Sequence, residues 1–179
     1  MYLAKCWLRR RTMANTGENL KAAFAGESQA SRKYLYFAEK ADKDGQPQIA
    51  RLFRAASDAE TVHARNHLNA MNGIGPVADN LKAAISGEHY EFTQMYPGMI
   101  DQAKVENNSV ALQSFNWANK VEQGHHALYE QALKDFEVGK MRENKPFFVC
   151  QNCGNTVEGE APDTCPVCGF SKDWFKKIE

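Results

Sequence analysis

"DAETVH" runs from Asp58 to His63, and its last four residues, Glu60-x-x-His63, decide the fold. Residues three apart on a helix share a face, so this carboxylate and this imidazole point the same way. The surroundings are helix-forming: Ala, Leu, Glu, Lys and Gln dominate from about residue 15 to 140, without β-branched runs. Steps of three, four and seven place the pair in the middle of an apolar stripe with Leu52, Phe53, Ala56, Ala64, His67 and Met71. Further on, "VEQGHH" (Val121–His126) writes the same pair again as Glu122-x-x-His125.

The repetition extends to a second phrase. "NLKAAFAGE" (Asn19–Glu27) returns as "NLKAAISGE" (Asn80–Glu88), and each ends on a lone glutamate within an apolar stripe. Glu27 corresponds to Glu88 with an offset of 61, and Glu60 to Glu122 with an offset of 62. Two half-sites related by an approximate two-fold axis are expected. One asymmetry stands out: Glu91 has Ala30 as its counterpart, so the second half carries an extra carboxylate. Such an acid lets one metal ion change ligands when its charge changes, a redox device rather than a storage feature; the alternative is a hydrogen-bond acceptor behind the ligands.

Glutamates on an outer helix face need no explanation, and Glu39 and Glu130 are of that kind. Glu27, Glu60, Glu88, Glu91 and Glu122 are not, because each interrupts an apolar stripe. A buried, unpaired carboxylate costs several kcal/mol, against a total domain stability of about 5–15 kcal/mol. Protonation can neutralise one or two, not five together. Two cations resolve the conflict better than a salt-bridged core, and carboxylates with a few imidazoles suit iron or manganese. Ferritin-like dimetal bundles use this set, one Glu from each of two helices and E-x-x-H from each of the other two.

The predicted fold class is therefore mainly α, a ferritin-like four-helix bundle followed by a small β module. Breaks at "DGQP" (Asp44–Pro47), "NGIGPVAD" (Asn72–Asp79) and, more weakly, "ENNS" (Glu106–Ser109) give helices near 17–44, 47–72, 79–107 and 109–139. Pro97 is expected to kink the third. The expected domains are 1–13, a disordered N-terminal extension with Met13 as an alternative start; 14–140, the bundle; and 141–179, the small module.

That module holds Cys150-x-x-Cys153-Gly and Cys165-Pro-Val-Cys168-Gly, a strong tetrathiolate pattern. Spacing does not separate zinc from iron. A redox dimetal site needs a one-electron donor, which favours iron. Phe147, Phe148, Phe170, Trp174 and Phe175 are expected to shield it. His67, His89 and His126 are read as packing residues, and Tyr34 and Tyr96 as able to orient carboxylates. Cys6 stands alone in the extension.

The formal net charge is zero, with 22 basic and 22 acidic residues, so no nucleic acid or anionic membrane is expected as a partner. No apolar run approaches the ~18 residues of a membrane span. The basic N-terminus lacks the apolar core of a secretory signal, so a cytoplasmic location is expected.

"AFAGESQA", "DAETVH", "GEHYEFTQMYP", "VEQGHH" and "CQNCG…CPVCG" together resemble the rubrerythrin family from residue 14 onward. The resemblance implies a non-haem diiron peroxidase that reduces hydrogen peroxide to water and protects against oxidative stress. Its cofactors would be two irons in a carboxylate site and one iron held by four cysteines in a rubredoxin-like domain. Its partners would be an electron-donating reductase or rubredoxin and further copies of the chain, as a homodimer or larger assembly in which the rubredoxin-like iron of one subunit serves the diiron centre of another. Glu60 and Glu122 would bridge the irons. Glu27 would hold one iron, with Glu91 and His63 exchanging on it; Glu88 and His125 would hold the other. Tyr34 and Tyr96 match the family's pocket tyrosines. A ferroxidase or iron-storage protein of ferritin type is the alternative.

Overall fold

The computed structural model describes residues 15–178. The expected N-terminal extension, with Met13 and Cys6, lies outside them. The elements in order are α1 (Thr16–Lys43), α2 (Pro47–Ala70), α3 (Val77–Tyr90), a π-helical turn (Glu91–Met95), α4 (Tyr96–Val105), α5 (Ser109–Glu137), β1 (Phe147–Cys150), β2 (Thr156–Glu158) and β3 (Phe175–Ile178). These boundaries fall within about two residues of those read from the sequence. The described chain forms two compact units, up to Ile74 and from Gly75 onward.

Helix ends follow from local chemistry. Asn15 caps α1 reciprocally with Glu18, at 2.9 and 3.0 Å. At the other end Gly45 takes φ +70° while Gln46 N–H reaches Ala41 O at 2.8 Å, and Pro47 then opens α2. Asn72 and Asn107 take the same left-handed conformation after α2 and α4. That explains why "ENNS" is a full break despite its weak sequence signal: asparagine tolerates this backbone nearly as glycine does.

In the first unit α1 packs on α2 through small residues. Ala38, Ala41, Ala50 and Ala64 are buried, and Ser57 donates to Ser31 O at 2.8 Å. Small side chains let the helix axes approach closely. The larger members of the predicted stripes behave differently, with Phe37 47% and Leu52 68% exposed. A two-helix seam is narrow, and small residues occupy it here.

The second unit contains the departure from simple helix expectation. Pro97 does not interrupt the third helix alone. The five residues before Tyr96 widen into a π turn, and Tyr96 N–H bonds Glu91 O, five residues back. A π turn accommodates one extra residue within a helix. The repeat contains that residue: Glu27 and Glu88 are offset by 61, but Tyr34 and Tyr96 by 62. The insertion falls where Glu91 departs from Ala30.

The β module is a three-stranded antiparallel sheet in the order β2-β1-β3. The segment after α5 is fastened by Asp135, which accepts from Gln131, Lys140 and Arg142. Arg142 also donates to Glu158 in β2 at 2.5 Å, tying the module to α5.

Deleting Thr93 is expected to close the π turn into ordinary α-helix. Because the widened turn absorbs the extra residue, the helix on either side keeps its faces and only Glu91 is moved. Far-UV helicity and metal retained after dialysis should both persist; loss of the metal contradicts the register argument.

Candidate metal centre

Two carboxylate–histidine clusters form, one in each unit. Ligand atoms of Glu27, Glu60 and His63 lie within 4.8 Å of one another, as do those of Glu88, Glu122 and His125. Both E-x-x-H pairs adopt the same geometry. His63 Nδ1 is 2.8 Å from Glu60 Oε2, and His125 Nδ1 is 2.7 Å from Glu122 Oε2. The first cluster is the more open, with the His63 side chain 54% exposed against 27% for His125.

Electrostatics in the second cluster display the conflict that the sequence implies. Burial, then the Glu122 charge, pushes Glu88 up to about 7, aided by a hydrogen bond with Glu122 that needs a protonated carboxyl. Glu91 is also raised, by burial first and Glu122 second. His125 is raised chiefly by its hydrogen bond to Glu122. Tyr96 is raised by burial and by Glu122, Glu91 and Glu88, which keeps its hydroxyl protonated beside the acids. Without cations this cluster holds itself together by retaining protons.

Glu91 is outside the tight triad, although Glu122 and His125 both act on it. Tyr34 sits in the first unit, its ring 6.2 Å from Phe37 and 6.1 Å from Phe53. His89 and His126 pack around Phe92, as packing residues do, with centroids 5.3 and 5.4 Å away. Thr156 is one residue that sequence reasoning missed: its hydroxyl is 2.9 Å from His125 Nε2. No sequence pattern marks it, because the partners are 31 positions apart and belong to different elements.

The four cysteines are free thiols with all Sγ atoms within 4.8 Å of one another. Cys150–Cys168 and Cys153–Cys165 are separated by 3.7 and 3.6 Å. A tetrahedron with metal–sulfur bonds of about 2.3 Å has edges of about 3.8 Å, so the set fits one ion. The two knuckles are equivalent: Gly154 N–H bonds Cys150 O at 2.8 Å and Gly169 N–H bonds Cys165 O at 2.9 Å. Gly154 needs φ +85°, and Val121 of α5 lies 3.8 Å from where a Cβ would stand. Burial raises Cys153 and Cys165. Burial opposes ionisation of Cys168 too, but the Phe170 N–H and other donors outweigh it and bring it to about 7. The aromatic shield is partial, since Trp174 is 45% exposed and meets Phe170 edge-on at 4.7 Å.

Four helices bearing duplicated carboxylate–histidine clusters, followed by a tetrathiolate sheet, define a ferritin-like dimetal protein with a rubredoxin-like module. The rubrerythrin family model matches residues 18–133, and the rubredoxin-like domain of rubrerythrin matches 148–176. Rubrerythrin-2 of Clostridium acetobutylicum is 33% identical, covering 91% of this chain and 96% of its own. Nigerythrin of Nitratidesulfovibrio vulgaris is 34% identical, covering 93% and 88%. A solved structure of nigerythrin in a mixed-valence state aligns with a TM-score of 0.54 at 34% identity, covering 98% of this chain and 91% of that one. The chain belongs to the rubrerythrin family, and its cofactors are those of that class, two non-haem irons in a carboxylate site and one iron among four cysteines. No described helix is long and apolar enough to cross a membrane.

At about pH 6 Glu88, with its pKa near 7, holds a proton that metal must displace, and His125, raised above 6.5, holds another. Loading divalent metal should release more protons at about pH 6 than at about pH 8, measured by calorimetry in two buffers of different ionisation enthalpy. Equal release at both contradicts this electrostatic account.

Proposed function

We propose that this chain is a non-haem diiron peroxidase that reduces hydrogen peroxide to water, with electrons delivered through the four-cysteine iron. The single observation that carries this reading is the hydrogen bond from His125 to Thr156, which joins a metal cluster to the tetrathiolate module. A storage protein has no use for an electron carrier attached to its metal ligands.

In this reading Glu27, Glu60 and His63 would hold one iron, and Glu88, Glu122 and His125 the other, with Glu91 available to exchange as the charge changes. When bound, the two irons supply one electron each to the O–O bond and positive charge for the departing oxygens. The chain does the rest. Five carboxylates would offset the cationic charge. Tyr96, kept protonated by burial and by its acidic neighbours, donates a hydrogen bond at the rim, and Tyr34 does so from the other half. Glu91 starts the π turn, where a helix is least tightly wound, and that mobility suits ligand exchange. The exposed apolar residues Phe37 and Leu52 suit contact with further copies of the chain, in a homodimer or larger assembly. The physiological setting is cytoplasmic protection against oxidative stress, with a reductase or rubredoxin as electron source.

Rapid mixing of the reduced protein with peroxide and, separately, with oxygen tests the activity. Much faster oxidation by peroxide supports the peroxidase, whereas faster oxidation by oxygen with iron deposition supports the ferroxidase. Glu91→Ala should keep its iron but lose roughly ten- to a hundred-fold in peroxide turnover, a scale typical for groups that tune a metal site. Wild-type turnover in that variant contradicts the ligand-exchange role.

A further inference from the structure

The Thr156 hydroxyl has one proton and two lone pairs. That proton is committed: Thr156 Oγ1 donates to Gly154 O at 3.0 Å. Toward His125 Nε2, 2.9 Å away, the oxygen can therefore only accept. Nε2 must carry hydrogen, so when a metal displaces the Nδ1 proton that the 2.7 Å contact with Glu122 holds, Nδ1 is the nitrogen left with a lone pair. Nδ1 is the atom that faces the acids, 2.7 Å from Glu122 and 3.9 Å from Glu88. The direction of one hydroxyl thus fixes the tautomer that a metal ligand requires. The other half does not share this device, since His63 Nε2 has no hydrogen-bond partner among the described residues.

We propose that Thr156 is a positioning residue for His125 and that, through it, the four-cysteine module forms part of the adjacent metal half-site. The anchoring is local and stiff. Gly154, whose carbonyl orients Thr156, directly follows Cys153 and turns with φ +85°. Thr156 is paired with Val149 in the sheet, and Arg142 clamps Glu158 of the same strand to Asp135 of α5. The rubredoxin-like module thereby meets a metal cluster of its own chain, a contact the family resemblance assigned to a different subunit. This inference rests on the ligand assignment above, not on the peroxidase activity.

The test uses the full-length protein, its four-cysteine iron in place, loaded with zinc at the carboxylate clusters and labelled with 15N-histidine. Wild type should show His125 metallated at Nδ1 with a slowly exchanging Nε2–H. Thr156→Val, nearly isosteric and at home in a strand, should lose that slow exchange. It should also bind zinc at the Glu88/Glu122/His125 cluster about 10- to 100-fold more weakly, with the Glu27/Glu60/His63 cluster unchanged. Thr156→Ser should restore both properties. An unchanged four-cysteine iron spectrum in both variants verifies the module's fold. Wild-type affinity and exchange in Thr156→Val overturn the proposal, as does equal weakening of both clusters. Zinc has no redox chemistry, so failure of the peroxidase reading leaves these outcomes intact, and their failure leaves that reading intact.

Discussion

Mutual repulsion of carboxylates in a poorly solvated space is the constraint around which this chain is organised. Burial, and then the charge of Glu122 beside it, push Glu88 up to about 7. No arrangement of that kind survives selection for stability alone, because apolar residues of similar size would pack there without penalty. The acids are tolerable because cations neutralise them. The helices, the internal repeat and the paired histidines then follow as the means of delivering two matched sets of ligands.

Much of this was legible in the sequence because it is periodic. Glu60-x-x-His63 and Glu122-x-x-His125 sit at a helical spacing that no loop requires, and the structure gives both the same Nδ1-to-carboxylate geometry. The tetrathiolate set was equally plain, since paired knuckles leave few other uses for four cysteines. The hidden parts have physical reasons. The π turn at Glu91–Met95 leaves composition unchanged and only shifts register, and its trace is a one-residue difference in repeat offsets. Pro97 drew attention to the correct region but suggested a kink. The partial exposure of Phe37 and Leu52 was hidden because a periodic stripe names a face without saying how much of it two helices can cover. Thr156 was invisible because its role depends on the docking of the module against α5, which no spacing encodes.

The two halves are alike in ligand type and unlike in support. The first cluster is open, and its histidine has no partner at Nε2 among the described residues. The second is more enclosed, has an additional acid beside a π turn, and has its histidine anchored to the β module. Duplication supplied a symmetric frame, and one inserted residue with one added carboxylate makes the two clusters inequivalent. Inequivalence of this kind is useful to a site that moves electrons in single steps, whereas a storage site gains nothing from it.

Thermal unfolding of the iron-loaded protein beside a sample stripped of metal only at the carboxylate clusters tests the central claim most directly. If cations hold the acids together, the loaded form melts higher by well over about 4 °C, the shift that about 1 kcal/mol produces in a domain of this size. Coincident melting curves would contradict the account, since acids that need no cation were never in conflict with their surroundings.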